Sequence, residues 1–316
     1  MPEPSPRSWL VSPWFDVLLI ANVAWPLLLL LQLGEGFEGR DGLQFWQIYF
    51  LTTPHRWITL ALVFLDRERF GQRRFAFLAI AAAVIIICLG VRITTGALTC
   101  LLTIDYIWNA WHFASQHHGI YRIYGNRAGM PIATPALEKW SMRLFLLYVI
   151  LRVAGATWSH AALEQSLRIA DWAVLAVPAW LLIRELARQP RAAGRTIYIV
   201  SVLTLYISLL AAVHANRPAL VLSLATASAV FHATEYLALV AWSVHGRHAA
   251  KPDQLGIMSY LAPRWGLALG VFILVLGAGG WLLQKNYLQS WLLVNVIVAF
   301  LHYAYDGLIW RQRANS

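Results

Sequence analysis

A helix needs about 20 mostly apolar residues to cross the hydrocarbon of a bilayer, and this chain strings together ten runs of that kind. They cover residues 13–33, 44–65, 75–93, 96–122, 138–158, 168–187, 196–214, 218–244, 264–284 and 288–310. Little chain is left between them, so no soluble domain of any size fits. The longest connection, 245–263, carries His245, Arg247, His248 and Lys251 and reads as a polar loop. The runs predict an all-α fold, a polytopic transmembrane helical bundle of about ten spans, with residues 1–316 as a single transmembrane domain. Composition supports this. The chain is 59% apolar and 13% charged, about half the charged fraction of an ordinary soluble domain. Disorder, a collagen-like repeat and a secreted disulfide scaffold are excluded, and so is a free nucleic-acid-binding domain. The expected setting is a multi-pass protein of a bacterial inner, cytoplasmic membrane, with the lipid bilayer as partner and no nucleic acid.

The net charge of +10 belongs to the loops, because cytoplasmic loops of membrane proteins carry excess Lys and Arg. Arg67, Arg69, Arg73 and Arg74 follow the second run, and Arg122, Arg127 and Lys139 surround the loop after the fourth. Arg184, Arg188, Arg191 and Arg195 follow the sixth, Arg247, Lys251 and Arg264 the eighth, and Arg311 and Arg313 the tenth. The alternate loops are poorer in cations: Glu35, Glu38 and Asp41 accompany Arg40. This asymmetry predicts that both termini are cytoplasmic. Met1 to Ser12 has no short apolar region and cleavage site of a signal peptide, so the first run reads as a retained helix. Cys88 and Cys100, the two cysteines, both lie inside apolar runs and provide no thiolate metal site.

Ionisable side chains inside spans are expensive and mark function, and here they cluster on the even-numbered runs. Thr52, His55 and Thr59 share a face of the second, with Asp66 eleven residues beyond His55. Asp105, Asn109, His112 and Gln116 form one stripe on the fourth, Ser228, His232 and Glu235 one on the eighth, and Asn295, His302 and Asp306 one on the tenth. Counted to the cytoplasmic edge at about 1.5 Å per residue, His55, His112, His232 and His302 share one level roughly 15 Å deep. Gln116, Glu235 and Asp306 lie on the cytoplasmic side of their histidines, and Asp16 enters from the first run. The expectation is a polar chamber in the inner half of the bundle. Pro54 removes a helix hydrogen bond next to His55 and kinks the chain there.

Imidazole nitrogen with carboxylate oxygen suits Fe, Mn or Zn, and the lack of sulfur disfavours Cu(I). His232-x-x-Glu235 and His302-x-x-x-Asp306 each put a nitrogen and an oxygen donor on one helix face. His55 and His112 supply further nitrogens, with Gln116, His117 and Asp16 as additional donors or supporting groups. Any one intramembrane histidine is more often a hydrogen-bonded packing residue than a ligand; four of them at one level, each on a polar stripe, point to a shared ion. Asp66, Arg67, Glu68 and Arg69 read as helix capping and anchoring, and His118 as interfacial. His160, His214, His245 and His248 read as loop residues, and Trp57, Trp108 and Trp111 as flanks of the chamber. Arg56 is expected to pair with a carboxylate, hold an acidic headgroup or snorkel.

The run His-Phe-Ala-Ser-Gln-His-His at 112–118 resembles the histidine boxes of integral-membrane di-iron desaturases and hydroxylases. That resemblance implies O2-dependent oxidation of a lipid-like substrate, with electrons supplied by a cytoplasmic donor. The functional expectation is therefore an integral membrane metalloenzyme that hydroxylates, desaturates or cleaves a hydrophobic small molecule at iron, mononuclear or dinuclear. His55, His112, His117, His232 and His302 are the expected nitrogen ligands. Glu235, Asp306 and Asp16 supply oxygen, and Glu235, Asp306 and Gln116 act in catalysis. Zn or Mn fits the same donors, with Glu235 as general base at a hydrolytic Zn site. The competing expectations are a proton-coupled transporter that uses the His/carboxylate chain as a relay, and a haem protein, which needs only one or two axial histidines.

Overall fold

The computed structural model describes residues 8–33, 42–130, 135–155, 161–189 and 191–310, and among these every regular element is helical. A turn of helix, α1 (Pro13–Phe15), runs into a π-helical turn (Asp16–Ile20), and α2 (Trp25–Leu33) follows. Helix α3 (Gly42–Gln47), a second π turn (Ile48–Thr52) and α4 (Thr53–Phe64) make the next run. Then come α5 (Arg67–Thr95), α6 (Thr99–Arg127), α7 (Pro135–Gly155), α8 (Ala161–Val174) and α9 (Ala176–Ala187). After them α10 (Ala193–His214), α11 (Pro218–Ala250), α12 (Ile257–Leu261) and α13 (Trp265–Ile309) complete the order. Local chemistry sets several ends. Ser12 caps α1 by accepting from the Phe15 N–H, with Pro13 at the first helical position. Asp66 accepts from the Arg69 N–H to cap α5, as the sequence led us to expect. Gly96, at φ +66°, closes the far end of α5 in the left-handed conformation.

Among the described residues, five helical stretches are long and apolar enough to cross a membrane: Arg67–Thr95, Leu163–Ala187, Ala193–His214, Pro218–Ala250 and Ile257–Ile309. A sixth is added if Pro13–Ile20 and Trp25–Leu33, bent by 43°, count as one span. This is fewer than the ten runs of the sequence, for two physical reasons. The ninth and tenth runs lie in one continuous helical stretch, broken only at Tyr287 (φ −134°, ψ 43°). The second, fourth and fifth runs are helical too, but the second is divided by its π turn and the others carry many polar and charged side chains. The expected polar loop at 245–263 is largely helical as well: α11 continues to Ala250, so His245 and His248 are helix residues. His214 is the last residue of α10, not a loop residue. Residues 1–7, Glu35, Glu38, Arg40, Asp41, His160, Arg311 and Arg313 lie outside the described residues.

The chain divides into two compact units. The first comprises Met1–Leu43 and Ala110–Glu235, the second Gln44–Asn109 and Tyr236–Ser316. In the first, α10 is the central helix. It packs against α7, α8, α9 and the first π turn, and it buries Tyr198, Ile199, Val202, Leu205, Tyr206 and Leu209. Helix α7 answers with Met142, Phe145, Leu146 and Val149. Gly194 opens α10 where the Ser8 carbonyl accepts its N–H at 3.2 Å. A Cβ there would lie 2.6 Å from the Ser8 oxygen and 2.8 Å from the Tyr124 ring. Gly194→Ala is expected to destabilise the protein by about 1–3 kcal/mol through overpacking, visible as a lower Tm in detergent. In the second unit α13 packs on α4, α5 and the second π turn. One core joins Ile58, Leu62, Tyr236, Val240 and Trp265, and another joins Cys88, Leu98, Ala299, Phe300 and Tyr303.

Candidate metal centre

In the first unit, helical periodicity places Ser228, His232 and Glu235 on one face of α11, and His112, Gln116 and His117 on α6. His117 Nδ1 lies 3.0 Å from Glu235 Oε1, and His232 Nδ1 lies 3.9 Å from the same oxygen. One donor atom from each of His117, His232 and Glu235 falls within 4.8 Å of the other two, and all three side chains are shielded from solvent. Ligands about 2.1 Å from a common ion are separated by roughly 3.0–3.5 Å in tetrahedral or octahedral geometry, so small side-chain adjustments suffice to hold one. The two nitrogens and one oxygen are the donor set that suits Fe, Zn or Mn.

The surroundings fix these donors. Gln116 Nε2 donates to Glu235 Oε1 at 2.8 Å and to the His232 carbonyl at 3.1 Å. The Tyr198 hydroxyl donates to Glu235 Oε2 at 2.9 Å and lies 2.9 Å from His117 Nδ1. On the other side of the ring, His117 Nε2 is 3.4 Å from the Tyr206 hydroxyl, which accepts from Ser228 at 3.1 Å. Metal-binding histidines are characteristically held at their second nitrogen in this way. His232 stacks on Phe113 with centroids 3.7 Å apart, and His112 meets it edge-on at 5.1 Å. Gln116 is thus a clamp on the carboxylate, and His117 lies in the middle of the cluster. Tyr198, Tyr206 and Phe113 were absent from the sequence reading, because an aromatic residue on an apolar helix carries no signal until its neighbours are known.

The second unit contains a polar cluster of its own. Thr59 Oγ1 lies 2.6 Å from the Tyr236 hydroxyl and 2.6 Å from His302 Nδ1, and Tyr236 donates to Asp306 Oδ1 at 2.6 Å. His55 meets His302 edge-on at 5.1 Å. The result is a continuous buried chain, Asp306–Tyr236–Thr59–His302, with His55 against its end. Of the four histidines of the expected level, His112 lies against His232 within the first unit and His55 against His302 within the second. Nearby, Arg56 pairs with Asp105 at 3.6 Å, one of the roles expected of it. Tyr303 donates to Asp105 at 2.8 Å and to Asn109 at 3.0 Å.

Asp16 has a different role from the ligand expected. Its carboxylate accepts from the Leu10 N–H at 2.6 Å, the Val11 N–H at 3.1 Å and the Tyr124 hydroxyl at 2.9 Å. The two backbone donors fold the preceding segment onto the first π turn, and Tyr124 anchors that turn to α6. His214 pairs with Asp171 at 3.1 Å, in a group that also holds Arg152 and Tyr148. Trp57 donates to Asn295 at 3.4 Å, Trp108 stacks on Phe300, and Trp111 packs against Trp140. No protein-family model matches this chain, and neither a curated protein nor a solved structure is similar to it.

Proposed function

We propose that this chain is a multi-pass integral-membrane metalloenzyme that binds iron at His117, His232 and Glu235 and oxidises a lipid-like substrate by hydroxylation, desaturation or cleavage. The observation that carries the reading is the solvent-free meeting of two imidazoles and one carboxylate, each gripped by further hydrogen bonds or ring stacking. In this reading the bundle has about ten spans, with both termini cytoplasmic and an electron donor on that side. The polar helices α4, α6 and α7 then cross as well, and the two arms of α13 on either side of the break at Tyr287 cross once each. At 29 residues, α6 is about 43 Å long, more than the hydrocarbon thickness of about 30 Å, and its polar stripe faces protein.

Bound iron would supply the redox chemistry. The rest falls to the chain. Glu235 provides the negative charge that balances a cation, Gln116 and Tyr198 hold its two oxygens, and Tyr206 sets the plane of His117. Phe113 covers one face of His232 and keeps water from it. His112 is the nearest further nitrogen on the same unit. The test is elemental analysis of the full chain purified in detergent. One iron per chain is expected in the wild type, with at least about tenfold less in His117→Ala and His232→Ala. A wild-type chain free of stoichiometric metal overturns the proposal. Stoichiometric zinc in place of iron overturns the oxidative part and leaves a hydrolytic centre.

A second reading, a proton-coupled carrier, is favoured by the Asp306–Tyr236–Thr59–His302 chain of short hydrogen bonds. Thr59→Val keeps the shape and removes the one hydroxyl that joins Tyr236 to His302. We expect a stability loss of about 1–3 kcal/mol from the polar groups left unjoined. For a carrier, proton-driven uptake into liposomes also falls by about tenfold or more; for the metalloenzyme, iron content stays at the wild-type level. A Soret band in the purified protein would instead bring haem forward.

A further inference from the structure

At the start of α5 the second unit has a cavity of ≈ 150 Å³ that the reading above does not use. Arg69, Arg73 and Arg247 line it with Gln72, and Phe77 and Leu308 contribute apolar wall. Three guanidinium groups around one small space repel one another unless anions lie among them. Two carboxylates serve part of that need. Arg247 is 2.9 Å from both Asp66 and Glu68, Arg69 is 3.9 Å from Asp66, and Lys251 shares Glu68 at 3.6 Å. Arg73 is different. Among the described residues its side chain meets only the Leu308 carbonyl, to which Nη1 donates at 2.9 Å. Helix α5 breaks at this residue (φ −142°, ψ 28°). The four cations exceed the two carboxylates by two charges, and most of the five N–H donors of Arg73 remain for something else.

We propose that this cavity binds a phosphate-ester anion, either the headgroup of an anionic phospholipid or a soluble phosphate, with Arg73 as the principal donor and Arg69 and Arg247 completing the grip. Guanidinium forks match phosphate oxygens two at a time. The space suits a headgroup and is too small for an acyl chain. It also lies where Arg67–Thr95, a stretch apolar enough to cross a membrane, begins, the level at which basic pockets between helices take lipid headgroups. The inference does not depend on the metal site.

The test uses the full chain in detergent, titrated separately with dioleoylphosphatidylglycerol, dioleoylphosphatidylcholine and inorganic phosphate, with thermal stabilisation as the readout. The wild type is expected to be stabilised by an anionic phosphate ligand, and Arg73→Gln to need about tenfold or more of it for the same shift. Arg73→Lys, which keeps the charge without the fork, falls between and serves as the readable variant if Arg73→Gln does not fold. Stabilisation by phosphatidylglycerol alone assigns the site to lipid; stabilisation by inorganic phosphate assigns it to a soluble ligand. No response to either, equal response to the zwitterionic lipid, or unchanged response in both Arg73 variants overturns the proposal.

Discussion

Glu235→Ala is expected to empty the metal centre and to lower stability by about 2–4 kcal/mol, from the buried donors left without their acceptor. Glu235 is fully buried, and its carboxylate accepts from Gln116 and Tyr198 and lies 3.0 Å from His117 Nδ1. Truncation leaves those donors without their acceptor, and an unsatisfied buried donor costs about 1–3 kcal/mol by itself. Glu235→Gln separates the metal from the fold. It keeps the size and one carbonyl oxygen but loses the charge. We expect a chain that purifies intact with a modest loss of stability and at least a hundredfold loss of metal affinity. Metal-to-protein ratio and thermal unfolding, measured together, check both. A Glu235→Gln protein that retains its metal removes the ligand role from this residue.

The second large effect lies in the same unit, outside the His117–His232–Glu235 group. The Arg195 guanidinium is fully buried, with Nε 3.3 Å from Glu185 and Nη2 3.6 Å from Glu138. It stacks over the Tyr121 ring at 4.0 Å. Arg188 holds Glu138 from another side, and Tyr121 donates to Glu185 at 2.7 Å. Arg195→Met is expected to cost about 3–5 kcal/mol, because it leaves a buried carboxylate without its cation. Adding Glu185→Gln removes the stranded charge, so the double variant should recover part of the loss. A favourable coupling of about 1–3 kcal/mol in the double-mutant cycle would show that the pair acts as a unit. Strict additivity in Tm would count against it.

Arg195 also shows what the sequence could and could not convey. As one of four arginines after the sixth run, it read as a solvated loop cation, and nothing in its neighbourhood along the chain distinguishes it from Arg191. Its partners Glu138 and Glu185 are 57 and 10 residues away, and their convergence follows from how α7, α9 and α10 pack. Periodicity on one helix is a different matter. The stripe His232–Glu235 on α11 and the box at 112–118 were legible because three- and four-residue spacings fix a face whatever surrounds the helix. That spacing is why His232 and Glu235 could be named as donors before any packing was known, while His117 was named from the histidine-rich run at 112–118. Spacings do not say which other helix a face meets. Hence Tyr198, Tyr206 and Tyr236 were missed, and Asp16, which looked like a free oxygen donor, proved to be bonded to backbone and Tyr124. The span count had the same limit: apolar length along the chain gave ten runs, whereas five or six of the described helical stretches are long and apolar enough to cross.

The second π turn makes Pro54 tolerable. In α geometry the proline ring would press on the carbonyl four residues back; here the wider turn sends the Thr53 N–H five residues back to Ile48 and relaxes that clash. Two local irregularities offset each other, and neither is expected to survive alone. Deleting one residue from 48–52 while replacing Pro54 would restore an ordinary helix, but everything upstream would swing by about 100°. Tyr49 and Phe50 would then leave Gly277, whose missing side chain makes room for them. Chain length is therefore pinned at this point: insertions and deletions here should be rarer among functional variants than at any loop of the molecule.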